Sequence, residues 1–244
     1  MNKITVKNKY PLSRIEDMLD QLQRVNYVSK INLKFGYHQV QIGEEDTWKT
    51  AFKMRQGLFE WMVMSFGLTN ASTMFMRLMN EVLRPYLDSF LVVYLDDILI
   101  YKKIWEDHLK NTKIVLEVLK KEQLQANLKK CTFVKNEIIY LGFKVDGAGL
   151  KIDLAKTEII LKWPVPKNLH ELRSFMGLAN YLRIFFVGYS EIALPLNALI
   201  KGNTTFIWIE RQQRSFDELK HRFCNALVLA LPDIRLPLRL KKMH

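Results

Sequence analysis

Residues 90–101, Phe90-Leu91-Val92-Val93-Tyr94-Leu95-Asp96-Asp97-Ile98-Leu99-Ile100-Tyr101, set two adjacent acids between two apolar, β-branched runs. The runs have strand composition and lack helical spacing. The chain must reverse at the acids, so the segment reads as a hairpin with Asp96 and Asp97 at its tip. A plain two-residue surface turn would prefer Asn-Gly or Asp-Gly, and there is no glycine here. Flanks this apolar predict a hairpin buried on both faces with its acids at one rim. Paired carboxylates on a rigid buried strand are suited to holding divalent metal ions against phosphates.

The remaining sequence must supply a core for that hairpin. Of the 244 residues 49% are hydrophobic, enough for a large core or two modest domains. The formal net charge is +12, with Lys and Arg scattered along the chain. A folded, strongly basic chain points to a polyanionic partner, nucleic acid before membrane, although solubility charge gives the same basicity. Cys131 and Cys224 are too few for a disulfide framework and have no zinc-ligand spacing, which fits a reducing compartment. No run is long enough to cross a membrane, and the N-terminus has no signal-peptide pattern, so no membrane partner is expected.

In chain order, residues 1–12 read as a basic, extended lead-in ending near Pro11. Ser13 and Glu16 have capping-box spacing before a helix carrying Ile15, Met18, Leu19 and Leu22. A strand is expected over 27–33 with a break at Gly36. Residues 47–64 alternate around Gly57 as a hairpin, with Phe59, Trp61 and Val63 on one face. Thr69 or Asn70 caps a helix to about Leu83, whose methionines at 74–79 are core packing. A long helix from Trp105 to Glu122 repeats Leu109, Leu116 and Leu119. Residues 137–152 form a strand pair turning at Asp146-Gly147. Beyond a boundary near Asp153 the chain becomes helical, over 153–163, 169–186 and 210–226, with breaks at Pro164, Pro166, Pro195 and Gly202. This order predicts an α+β fold: an antiparallel sheet backed by helices over 1–150, followed by a mostly helical region over 151–244.

Several motifs then carry a resemblance. Tyr94-Leu95-Asp96-Asp97 resembles the signature of a reverse transcriptase palm. Residues 2–12 resemble its lead-in, and Gly36-Tyr37-His38-Gln39-Val40 the end of its first catalytic motif. Phe66-Gly67-Leu68-Thr69-Asn70-Ala71 resembles the template-contacting motif, and Tyr140-Leu141-Gly142-Phe143 the primer grip. Trp163-Pro164-Val165-Pro166 and the run from Leu172 to Tyr181 resemble the thumb and connecting region of gypsy-type long-terminal-repeat retrotransposon polyproteins. The likeness extends from about residue 2 to Asp233.

The resemblance implies RNA-directed DNA synthesis, in which a primer 3′-hydroxyl attacks the α-phosphate of a dNTP. The implied cofactors are two Mg²⁺ (or Mn²⁺) ions about 3.5–4 Å apart. Asp96 is the implied main metal ligand, with Asp97 a weaker contact. Tyr37 would exclude a 2′-hydroxyl, and Phe66 and Gly67 would border the nascent base pair. Lys130 or Lys129 would protonate pyrophosphate, and Leu141 and Gly142 would hold the primer end. Arg173, Lys167 and Lys162 would touch phosphates without reading sequence. The implied partners are an RNA or DNA template with its primer, dNTP, and the rest of a polyprotein. The implied location is intracellular, in a cytoplasmic particle or the nucleus.

The sequence departs from the family at one decisive point. Asn32 stands after Lys30-Ile31, where the family has an acid, and an amide is a poor bridging ligand for two hard cations. Ser65 and Ser72 replace prolines of the second motif. The family's fingers begin before residue 1, so residues 43–64 would form half of them. Leu231-Pro232-Asp233 resembles the entry to a ribonuclease H domain whose first acid would fall near Met243. The expectation is a palm and thumb fragment with impaired nucleotidyl transfer. The other reading is a non-catalytic nucleic-acid-binding remnant.

Overall fold

A computed structural model describes residues 2, 5–8, 10–11, 14–22, 25–183, 188–201 and 206–225. The expectations at Ser13, Gly202, 231–233 and Met243 lie outside these residues. The chain divides into two compact units, Met1–Gln21 with Val25–Glu137, and Leu22–Arg24 with Ile138–His244.

The first unit opens with α1 (Ile15–Gln21), which buries Met18 and Leu19. Strand β1 (Tyr27–Asn32) follows, then 3₁₀ turns at Gly36–Gln39 and Glu44–Thr50. The hairpin expected over 47–64 is much shorter. Only β2 (Phe52–Met54) and β3 (Gly57–Phe59) pair, Phe52 opposite Phe59, and Val63 makes an isolated bridge to Gln41. Its ends are lost because Thr50 turns helical and its hydroxyl accepts the Trp61 N–H at 2.7 Å. Helix α2 (Ala71–Leu83) buries Ala71, Phe75, Met76, Met79 and Leu83, while Met74 stays exposed. Residues 71, 75, 79 and 83, four apart, line one face. Asn70 occupies the N-cap position but its side chain does not cap. Its Oδ1 accepts the Asn8 N–H at 2.9 Å and its Nδ2 donates to the Val6 carbonyl, tying the lead-in to the helix.

Strands β4 (Leu91–Tyr94) and β5 (Asp97–Lys102) form the expected buried hairpin. Helix α3 (Trp105–Lys121) buries His108, Asn111, Thr112, Val115 and Leu119. The expected stripe is corrected here: Leu109 and Leu116 are exposed, because the helix turns a partly polar face to the sheet. Strand β6 (Thr132–Lys135), not anticipated, completes an antiparallel sheet of order β4-β5-β1-β6. The core joins Ile31, Val93, Ile98 and Ile100 of the sheet to Phe75 and Met79 of α2 and Val115 of α3.

The polar face of α3 has a purpose. His108 is fully buried, its Nε2 is 2.8 Å from Ser29 Oγ, and that oxygen accepts the Val134 N–H at 2.9 Å, linking α3, β1 and β6. Nδ1 has no hydrogen-bond partner among the described residues. Burial lowers the His108 pKa below its ordinary 6.5. The unfolded chain therefore takes up a proton near pH 6.5 that the folded chain refuses, and stability falls as pH drops below that value. The expected loss is at most about 1.4 kcal/mol per pH unit, read from unfolding midpoints between pH 7 and 5. His108→Gln should flatten that dependence. An unchanged slope in the variant would assign it to other groups.

The second unit begins with a three-stranded sheet of order β7-β8-β9, formed by β7 (Glu137–Tyr140), β8 (Phe143–Asp146) and β9 (Gly149–Ile152). β8 and β9 turn at Asp146-Gly147 as expected, with Asp146 Oδ1 accepting the Ala148 N–H. Helices α4 (Leu154–Leu161), α5 (Leu169–Leu182), α6 (Tyr189–Lys201) and α7 (Glu210–Asn225) follow. Asn168 caps α5, accepting the Glu171 N–H at 2.9 Å, and Glu171 accepts the Lys167 N–H in return. At the helix core Phe175 meets Phe216 in a tilted pair at 4.6 Å, and Trp208 meets Phe216 edge-on at 5.8 Å between centroids. α6 corrects an expected break: it runs through Pro195, and Gln212 and Ser215 of α7 donate to the Pro195 and Ile192 carbonyls. The two compact units divide at Glu137/Ile138. The β8 ring of Phe143 stacks on Tyr181 of α5 at 5.2 Å, which groups these strands with the helices.

Candidate active site

Register brings the acids and Asn32 together. Tyr94 pairs with Asp97 across the hairpin, and Asp97 pairs with Asn32 on the next strand. The tip is therefore Leu95-Asp96, and Asp97 is the first residue of β5. Leu95 takes a left-handed φ of 52°, a conformation costing a non-glycine residue about 1 kcal/mol. Its N–H donates to the Met76 sulfur at 2.9 Å, and the Asp96 carbonyl accepts the Leu33 N–H at 2.8 Å. The turn is thus fixed from α2 and from the end of β1.

Asn32 is buried, and its Nδ2 donates to Asp96 Oδ2 and to Asp97 Oδ1, each at 2.9 Å. Lys30, two residues earlier and so on the same face of β1, places its ammonium 2.8 Å from Asp97 Oδ2. Both carboxylates already bind hydrogen donors from β1. Gly36 closes the floor. A Cβ there would lie 3.3 Å from Asp96 Cβ and 3.1 Å from the Phe75 ring, so only glycine fits without displacement.

Above this cluster is a cleft of ≈ 780 Å³ lined in part by Asn32, Asp96, Tyr37, Phe66, Lys129 and Lys130. Tyr37 packs edge-on to Phe66 at 4.9 Å and to Phe75 at 5.4 Å. Burial raises its hydroxyl pKa, and the Asp96 and Tyr94 groups add to the rise. Phe66 is largely exposed. Gly67 has a φ of +92° that demands glycine, with open space where a Cβ would stand. Lys129 and Lys130 share a 3₁₀ turn, anchored by the Asn127 N–H donating to the Asn32 carbonyl at 2.8 Å.

Leu141 and Gly142 belong to the second unit, at the turn between β7 and β8, with left-handed φ values of 49° and 72°. Arg173, Lys167 and Lys162 are exposed on or beside α4 and α5, and Lys162 pairs with Glu158 at 3.4 Å. Lys30 and Gly36 belong to the site although the sequence alone assigns neither a role in it. Period-two alternation in β1 was the available signal for Lys30, since it must share a face with Asn32. The contact at Gly36 joins residues 36 and 96 and leaves no local trace.

Among the described residues no three His, Cys, Asp or Glu side chains converge as a metal site. The donors here suit one divalent ion shared with a ligand phosphate. They do not suit a bridged pair, because the amide aims N–H groups where a third carboxylate would aim lone pairs.

The family profile described as reverse transcriptase (RNA-dependent DNA polymerase) matches residues 1–145. The chain belongs to the reverse transcriptase family. It is 36% identical over 237 residues to the retrovirus-related Pol polyprotein from transposon 297 of Drosophila melanogaster, covering 96% of this chain and 22% of the relative. It is 34% identical over 229 residues to the transposon Tf2-3 polyprotein of Schizosaccharomyces pombe, covering 94% and 17%. The chain thus spans about a fifth of the length of these relatives. Its fold matches the foamy viral protease-reverse transcriptase in complex with RNA/DNA hybrid, with a TM-score of 0.81, 27% identity and coverage of 93% of this chain and 31% of that one. A form of that protein in complex with double-stranded DNA gives 0.83 and 26%, covering 91% and 39%. Divalent metal use is general in this family.

Proposed function

We propose that this chain is the palm (1–150, with part of the fingers) and thumb (151–244) of a retrotransposon reverse transcriptase that binds primer–template but transfers nucleotides poorly. The observation carrying this is the Asn32 amide, donating to Asp96 and Asp97 where the family has a third carboxylate. Tyr37 would sit under the dNTP sugar and exclude a 2′-hydroxyl, its ring held by Phe66 and Phe75. Phe66 and Gly67 would border the nascent base pair. Lys130, or Lys129 beside it, would meet the triphosphate and hold the proton for pyrophosphate. Leu141 and Gly142 would hold the primer end, and Arg173, Lys167 and Lys162 would meet duplex phosphates. Asp96, with Asp97 beside it, would hold Mg²⁺ or Mn²⁺, which supplies charge neutralisation at the phosphate. Two ions are the family expectation. Lys30 and Asn32 leave the cluster too little negative charge to assemble both. The location that goes with this reading is a cytoplasmic particle or the nucleus.

The test has two readouts on one sample. Primer–template binding, measured by anisotropy over a salt series, is expected to weaken steeply with salt, as a phosphate-dominated interface requires. Primer extension on an RNA template with Mg²⁺, then Mn²⁺, is expected to be at or near background. Salt-insensitive binding would count against the interface, and rapid extension against the role given to Asn32. The non-catalytic reading gains from the same amide: binding with no extension under either metal is its signature.

A further inference from the structure

The turn assigned to the primer end is held by two helices of its own unit. Leu141 and Gly142 both adopt left-handed backbone, and at Leu141 this is strained for a residue with a side chain. Both turn carbonyls are taken. The Tyr181 hydroxyl of α5 donates to the Leu141 carbonyl, and the Asp153 N–H at the start of α4 donates to the Gly142 carbonyl at 3.3 Å. Lys156, in the first turn of α4, lies directly on Gly142: a Cβ there would sit 2.1 Å from Lys156 Nζ. The ammonium is 4.4 Å from the Tyr181 ring centroid and 5.8 Å from that of Phe143, and these two rings stack 20° from parallel.

These contacts form one closed assembly. Tyr181 binds the turn through its hydroxyl and Lys156 through its ring face. Lys156 in turn covers the glycine whose φ the turn needs. Burial lowers the Lys156 pKa and nearby Asp153 opposes this, while the two ring faces are a favourable seat for a cation.

We infer that Tyr181 and Lys156 are positioning residues that lock the Leu141–Gly142 turn in the conformation that receives the primer 3′ end. This rests on the proposal that the turn contacts the primer. The lock acts on end placement and not on general affinity for duplex, because Tyr181 and Lys156 act through the turn.

The test compares the affinity of the chain for a duplex with a recessed primer end and for a blunt duplex of equal paired length. Tyr181→Phe keeps the ring stack and the cation face and removes only the hydroxyl. It should weaken recessed-end binding about threefold to tenfold, the range expected for one hydrogen bond, and leave blunt-duplex binding and the unfolding midpoint unchanged. Lys156→Met should lose the recessed-end preference, and Lys156→Arg should restore it by keeping a cation over the rings. Equal losses on both duplexes, a preference that survives Tyr181→Phe and Lys156→Met, or no preference in the parent chain would each overturn the lock. Failure of the parent to bind either duplex would overturn the nucleic-acid reading itself.

Discussion

Asn32→Asp is expected to raise primer extension by about two to four decades over the chain as it stands, with RNA template and Mg²⁺. The substitution changes one atom type at a position fixed by strand pairing, opposite Asp97 and within reach of Asp96. Asp and Asn are nearly isosteric, so the sheet has no reason to shift. The electrostatics invert: the one nitrogen whose two N–H groups aim at the carboxylates becomes an oxygen with lone pairs beside them, and three carboxylates with Lys30 opposite can hold the second cation. Single-turnover extension rates for the two chains, on equal bound primer–template, give the comparison. A ratio near one with both chains active would show that Asn32 serves as well as an acid. Binding by both without extension by either would place the deficit outside this residue and favour the non-catalytic reading.

What could be read from the sequence followed from local pattern. The hairpin around Asp96 was legible because two apolar runs with strand composition flank it, and Asn32 because it interrupts a motif with fixed neighbours. Patterns that are weak locally were lost. Strand β6 is four residues with alternate ones exposed, too short and too polar to announce itself. Helix α6 was hidden by Pro195, a residue that normally ends or kinks a helix. The stripe on α3 misled because a buried histidine, asparagine and threonine replace the apolar residues that normally mark a core face. At the site, the identity of Asn32 was visible but its action was not. The direction of its amide, the Lys30 ion pair and the contact of Gly36 with Asp96 depend on strand register between segments some sixty residues apart.

That register also ties the fold's stability to metal, in opposite ways for the two chains. In the parent, Asn32 Nδ2 and the Lys30 ammonium satisfy Asp96 and Asp97 without any ion, so the unfolding midpoint in chelator and in Mg²⁺ should be nearly equal. Asn32→Asp removes two charge-assisted hydrogen bonds and buries a third carboxylate against two others. In chelator this should cost about 2–4 kcal/mol, the scale of lost hydrogen bonds to charged groups plus like-charge repulsion. The crowding raises the folded-state pKa of the new carboxyl above its unfolded value. The folded variant then binds the proton more tightly, so its deficit should shrink as pH falls from 7 toward 5 and grow again as pH rises. Mg²⁺ should recover stability as RT ln(1 + [Mg²⁺]/Kd), about 2.7 kcal/mol at a hundredfold excess over Kd. Thermal unfolding of both chains across a Mg²⁺ series reads this without any catalysis. A parent midpoint that climbs with Mg²⁺ as steeply as the variant's would mean Asp96 and Asp97 take the ion unaided, and that Asn32 does not govern metal entry.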